Sequence, residues 1–167
     1  MEFLERTFYT DSAKYGFRGD KPINKMTTRI KKSEVVKIPR TGNYLYKGAP
    51  QELYENIRKH VGDKLYLTSG IRGVMKQFLL FFNKADKNRG NLSLASRSLA
   101  PPGYSFHGIS DFDVGQVGYG ALNFTESFTS TEVFKKLDAL EYVNIRYPKD
   151  NLKGVRFEPW HIEDYPT

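Results

Sequence analysis

The sequence predicts a single α+β domain, and three observations predict it. Its 167 residues suit one domain with one real core. Helical periodicities are interleaved with short β-branched or aromatic runs joined by tight turns, and there is no internal repeat. The content is 39% hydrophobic and 14% aromatic, which is globular rather than disordered.

Residues 1–24 lack clean periodicity and read as an irregular segment wrapped over the core. "MTTRIKKSEVVKI" reads as two short strands joined at Lys31–Ser33, because β-branched residues flank both sides. "PRTGNYLYKG" carries turn chemistry. Pro50 opens a helix at its first position, where a missing N–H costs nothing. Leu53, Ile57 and Val61 form its buried stripe, and Gly62 ends it.

"KLYLT" is a buried strand leading into "SGIRG". A second helix runs from about Val74 to Asp86, with Met75, Phe78, Leu79 and Phe82 on one face. From Asn91 to Gly120 the chain is rich in Ser, Gly and Pro and reads as a long functional loop. Thr129 and Glu132 read as a capping box. They start a helix with Val133, Phe134, Leu137 and Leu140 facing inward. "YVNIRY" reads as a strand, and "VRFEPWH" as a final strand broken by Pro159.

Composition removes several function classes. No apolar run approaches the roughly 20 residues of a membrane span. The longest run is Phe78 to Phe82. The start has no basic n-region followed by an apolar h-region, so it does not read as a signal peptide. There are no cysteines, which excludes disulfides, thiolate nucleophiles and cysteine zinc sites. Residues 1–50 hold eleven Lys/Arg against five Asp/Glu, so +6 of the net +7 lies there. The aromatic-rich remainder is almost neutral, so no basic patch interleaved with aromatics marks a nucleic-acid binder.

The chemistry concentrates in two histidines. His60, in the last turn of the first helix, reads as a surface residue favoured by the helix dipole. His107 follows a Pro-Pro-Gly turn and precedes Asp111 and Asp113. His161 comes three residues after Glu158, with Pro159 breaking strand regularity between them. Together these residues supply three N/O ligands for a catalytic zinc and a carboxylate outside the ligand set. Zinc lowers the pKa of bound water from about 15.7 to about 7, and a nearby carboxylate then carries the proton to the leaving amine.

Three ordered segments carry a family resemblance. "SGIRGVMKQ", "PGYSFHGISDFDVG" and "EPWH" resemble the VanY-type D-alanyl-D-alanine carboxypeptidases, zinc peptidases of the D-Ala-D-Ala and hedgehog-like fold. "YVNIRYP" is similar to the family's strand before its last motif. The resemblance spans about residues 50–165. It implies a small, mainly antiparallel sheet flanked by helices, with zinc in a cleft on the sheet. Residues 50–167 would form the peptidase domain, and the basic residues 1–49 would be an extension packed on it.

Carried over by position, the resemblance implies that His107, Asp113 and His161 bind Zn2+. Glu158 would be the general base and acid. Arg72 would hold the substrate's terminal carboxylate or the developing oxyanion. Gln77 and Ser105 would line the substrate site, with Trp160 as a packing wall. Five residues separate His107 from Asp113 where the family usually has six. Asp111 is therefore the alternative ligand, or a group that orients one. Phe106 stands where the family often has Glu, and Ile71 and Gly73 replace Tyr and Ser around Arg72.

The implied activity is hydrolysis of the terminal D-Ala-D-Ala, or L,D, bond of a peptidoglycan stem peptide. A lysin-like endopeptidase and a non-catalytic wall-binding module are the alternatives. Such a substrate implies the periplasm or the cell exterior.

Overall fold

The computed structural model describes residues 17–19, 21 and 27–164. Most of the segment read as irregular, residues 1–24, lies outside the described residues. The chain then runs through β1 (Val35–Lys37), β2 (Tyr44–Tyr46), α1 (Ala49–Val61), β3 (Leu65–Ser69), α2 (Val74–Lys87) and α3 (Leu92–Ser96). It continues through β4 (Phe112–Gln116), α4 (Glu132–Asp138), β5 (Asn144–Ile145) and β6 (His161–Glu163). β1 and β2 form an antiparallel hairpin, and the other strands form an antiparallel sheet in the order β3-β4-β6-β5. The α+β architecture with a small antiparallel sheet is the one expected.

One face of the sheet carries the main core. Leu65, Leu67, Phe112, Val114 and Ile162 point to it and are essentially buried. Tyr54, Ile57 and Val61 of α1 and Val133, Phe134 and Leu137 of α4 close it, with Ile38 and Leu45 of the hairpin at one side. Each such aliphatic side chain contributes about 1.5–3 kcal/mol by leaving water. β4 alternates, so Phe112 and Val114 face this core while Asp113 faces away. The opposite face is therefore where polar residues collect.

Several local expectations are corrected. Between residues 27 and 37 only β1 forms, preceded by a 3-10 turn at Lys32–Glu34. The stretch taken for turn chemistry supplies the partner strand β2, because Gly42, at φ +72°, reverses the chain tightly enough to pair Lys37 with Tyr44. α1 starts one residue early, with Pro50 at its second position and Tyr54, rather than the half-buried Leu53, completing its buried stripe. The long segment 91–120 is not one loop, since it contains α3, a 3-10 turn at Phe106–Gly108 and β4.

The cap of α4 is Thr131, not Thr129: its hydroxyl accepts from Phe134 N–H at 3.1 Å. The last strand lies after Pro159, not across it, and the strand expected over "YVNIRY" shrinks to Asn144–Ile145. Proline cannot donate to a ladder, so pairing begins only where donors resume.

α2 shows a larger departure. Gln77, Phe81 and Ala85 are the residues it buries, against Ala95 of α3, Phe17 and Tyr104. The dense apolar stripe points mostly outward, with Met75 73% exposed and Leu79 and Phe82 55% each. Phe78 stacks on Phe82 at 5.6 Å between ring centres. Among the described residues, no helix is long and apolar enough to cross a membrane.

Candidate active site

The site stands on the polar face of the sheet. Register β4–β6 sets Asp113 directly opposite His161, with Phe112 opposite Ile162 on the core face. Directly opposed residues have Cβ atoms about 4.5–5.5 Å apart. A slip of one residue would send the two functional side chains to opposite faces. His107 arrives from the 3-10 turn at Phe106–Gly108. The result is that one ligand atom from each of His107, Asp113 and His161 lies within 4.8 Å of the others. All three residues are buried.

Each imidazole has its tautomer set by a neighbour. His107 Nδ1 lies 3.0 Å from the Gly70 carbonyl and donates to it, which leaves the Nε2 lone pair facing the site. His161 Nε2 donates to Asp111 Oδ2 at 3.1 Å, which leaves Nδ1 facing the site. His107 Nε2 stands 3.2 Å from Asp113 Oδ2, and His161 Nδ1 3.3 Å from Asp113 Oδ1. Ligands about 2.0–2.1 Å from a tetrahedral ion stand roughly 3.3 Å apart. Asp113 Oδ1 is buried and has no hydrogen-bond partner among the described residues. A buried carboxylate oxygen left without a donor is costly. The spacing and the orphaned oxygen both fit a divalent cation.

Electrostatics agree with that fit. Burial, followed by the charge of Arg72, pushes His107 down to about 4, so its imidazole is neutral at physiological pH. Burial pulls His161 down too, but Asp111, Glu158 and Asp113 outweigh it and raise it to about 9. A positively charged imidazole is thus favoured, and a cation at Nδ1 would take the place of its proton. Burial would raise Asp113, yet His107, His161 and Arg72 hold it at about 2.

Glu158 stands beside His107, Asp113 and His161 without joining their group, its Oε2 3.6 Å from His161 Nδ1. Its backbone is pinned: its N–H donates to the Tyr147 carbonyl and its carbonyl accepts from His161 N–H, both at 3.0 Å. Burial pushes its carboxyl up, against the pull of His161. Arg72 donates from Nη2 to Asp113 Oδ2 at 3.0 Å, from Nε to Ser69 at 3.0 Å and from Nη1 to Gln77 at 3.4 Å. Gln77 is buried behind it, and its amide donates to the Ala100 carbonyl at 2.6 Å. That bond turns the Gln77 oxygen toward Arg72. Ser105 and Trp160 line the cleft, a cavity of about 400 Å³, together with Arg72, His107, Asp113 and His161.

Asp111 stands outside the group that could hold a metal ion and touches it through His161. It is fully buried and receives Arg146 Nε at 2.7 Å, Arg146 Nη2 at 3.0 Å and His161 Nε2. Burial would raise it, but those hydrogen bonds hold it well below the ordinary carboxylate range. Arg146 is the residue that sequence reasoning missed. It reaches the site face because its N–H donates to the His161 carbonyl, one step beyond the Ile145–Ile162 pair. The only sequence signal for it was its place in "NIRYP". Gly70 was also missed. A Cβ there would stand 2.0 Å from the Tyr44 carbonyl oxygen. We expect Gly70→Ala to cost about 1–3 kcal/mol in overpacking and to weaken metal binding by moving the His107 acceptor. A urea midpoint and a zinc titration check both, and an unshifted midpoint would refute the first.

Residues 45–166 match the family model of the VanY D-alanyl-D-alanine carboxypeptidases. The chain belongs to this family. That makes it a hydrolase of the peptidase class. No curated protein sequence matches it. Among solved structures it is similar to a VanY D,D-pentapeptidase mutant from a VanB-type vancomycin-resistance cassette, in complex with Zn(II). That match has 21% identity, a TM-score of 0.63, and covers 89% of this chain and 85% of that one. VanYB in complex with D-alanine-D-alanine gives 20% identity and a TM-score of 0.67, over 89% and 84% of the two chains. The LdcB LD-carboxypeptidase gives 25% identity and a TM-score of 0.58, over 90% and 70%. The fold expected from the sequence resemblance is that of this family.

Proposed function

We propose that the chain is a zinc-dependent carboxypeptidase that hydrolyses the terminal D-Ala-D-Ala, or L,D, bond of a peptidoglycan stem peptide. The observation that carries this reading is the pairing of Asp113 with His161 across the sheet, with His107 at the same point and Glu158 beside them. His107 Nε2, Asp113 Oδ1 and His161 Nδ1 would hold the ion. Zinc bound there supplies Lewis-acid polarisation and a water of lowered pKa. Glu158 takes the proton of the attacking water and returns it to the leaving amine. Burial, which favours its protonated form, suits a group that accepts a proton before giving it up.

Arg72 holds the terminal carboxylate through donors that Ser69, Gln77 and Asp113 leave unused. Gln77 keeps that guanidinium in place from behind. Trp160 is buried against Phe124 at 6.0 Å and under the Arg156 guanidinium at 5.1 Å, so it is a wall of the cleft. A peptidoglycan substrate puts the enzyme in the periplasm or outside the cell.

Metal analysis combined with mass spectrometry of muropeptides, digested with and without a chelator, tests the proposal. We expect about one zinc per chain, release of a single D-alanine from a pentapeptide, and no product after chelation. D-Alanine released only from a tetrapeptide assigns the L,D bond instead. Products from crosslinks alone assign an endopeptidase. Binding to the cell wall without any product refutes the hydrolase and leaves a binding module.

A further inference from the structure

We infer that the cleft selects stem peptides carrying a second free carboxylate about three residues back from the terminal one, and that Lys84 and Lys87 read it. This rests on the proposed peptidase reading and deepens it. Lys84 and Lys87 lie in the last turn of α2 and line the same cleft as the ligand residues. Arg156 faces the cleft from the segment before β6. A lysine in a last turn is ordinary, because the helix dipole favours it. What points to a ligand is the charge balance of the cleft. Among the described residues its lining carries four cations, Arg72, Lys84, Lys87 and Arg156, and its only carboxylates are Asp113 and Glu158, which belong to the proposed metal and proton-transfer sites. Arg156 stands 3.8 Å from Glu158, whereas neither lysine makes an ion pair among the described residues.

Helix geometry sets the distance. α2 begins at Val74, two residues after Arg72. The Arg72 guanidinium reaches Gln77 in the first turn, so at 1.5 Å per residue Lys84 and Lys87 stand about 10–15 Å further along the axis, and their side chains lean back toward the helix start. An extended peptide spans about 3.3–3.6 Å per residue. A substrate whose terminal carboxylate sits at Arg72 therefore brings its third or fourth residue from the end to the lysines. A dipeptide, at about 7 Å, stops short of them. An amide at the far position offers Lys84 and Lys87 no charge to pair with, so amidated stem peptides bind less well.

Trp160 is the chain's single tryptophan and lines the cleft, so its fluorescence reports occupancy without turnover. The experiment titrates zinc-loaded Glu158→Gln with two synthetic pentapeptides ending in D-Ala-D-Ala. They differ only in a glutamyl carboxylate or its amide at the second residue. The carboxylate form should bind about 5- to 10-fold tighter at low salt, and the preference should shrink at high salt. Adding Lys84→Met and Lys87→Met should abolish the preference, and Lys84→Glu with Lys87→Glu should reverse it. Equal binding of the two peptides, or a preference that survives both double changes, overturns the inference. Unaltered preference with no hydrolysis by the native chain would sink the peptidase reading and leave this one standing. Failure of both peptides to bind overturns both.

Discussion

Glu158→Gln should lower kcat by about 10²–10⁴-fold, the usual worth of a positioned general base, while the zinc content stays unchanged. The substitution keeps the side chain's shape and removes only its ability to take a proton. Its backbone anchors, to Tyr147 and His161, are independent of the side chain and hold the turn before β6 in place. The carboxylate lies outside the group that would hold the ion, so metal retention separates a proton carrier from a ligand. Metal analysis beside single-turnover kinetics on a stem pentapeptide makes the measurement. Loss of zinc together with rate would make Glu158 a ligand. A rate within a few-fold of the native chain would leave it no chemical role.

Arg146→Met carries the largest expected effect on stability, a loss of about 3–5 kcal/mol. The Arg146 side chain is 0% exposed, as is Asp111. Its guanidinium pairs with both Asp111 oxygens, reaches Glu163 at 3.0 Å through Nη1, and lies 3.9 Å over the Phe106 ring. Methionine fills much of the volume but leaves the Asp111 charge buried with one partner fewer.

The pH dependence follows from the same carboxylate. Its folded-state pKa is depressed, so its stabilisation is complete above the ordinary value of about 3.9 and fades as pH falls below it. Removing Arg146 raises Asp111 in the folded state, so acid unfolding should begin at higher pH. Urea midpoints at neutral pH and an acid titration followed by circular dichroism check both shifts. Asp111→Asn added to Arg146→Met should recover part of the loss, because the uncompensated charge goes with it. A loss below about 1 kcal/mol in the single variant would mean that the pair is no more than packing.

The candidate site was legible from the sequence where chemistry sits in short motifs. His107, His161, Glu158 and the pair Asp111 and Asp113 stood out because few residue types can bind zinc or carry a proton without cysteine, and the family resemblance favoured Asp113. The Asp111 ambiguity was not resolvable from spacing, since Asp111 and Asp113 share parity along an extended chain. Hydrogen bonds separate the two: Asp111 is taken up by Arg146 and His161, while Asp113 Oδ1 has no hydrogen-bond partner among the described residues. Gln77 was read as part of the substrate surface, and the fold instead sets it behind Arg72. The face of α2 was misleading for a related reason. Periodicity identifies an apolar stripe but not which neighbour a helix meets, and α2 meets its neighbours through Gln77, Phe81 and Ala85.

By itself the sequence determined the α+β class, the positions of α1, β3 and α2, the lack of thiol chemistry, and the inventory of groups able to bind a metal. Those are properties of residue type and of spacing over one or two turns. Tertiary structure decided that Asp113 and His161 face each other, that Gly70 and Asp111 choose the imidazole tautomers, and that Arg146 is buried beneath them. These depend on strand register and on hydrogen bonds between residues 35 to 50 positions apart. A short-range pattern carries no information about such pairs, because they exist only once the sheet has closed.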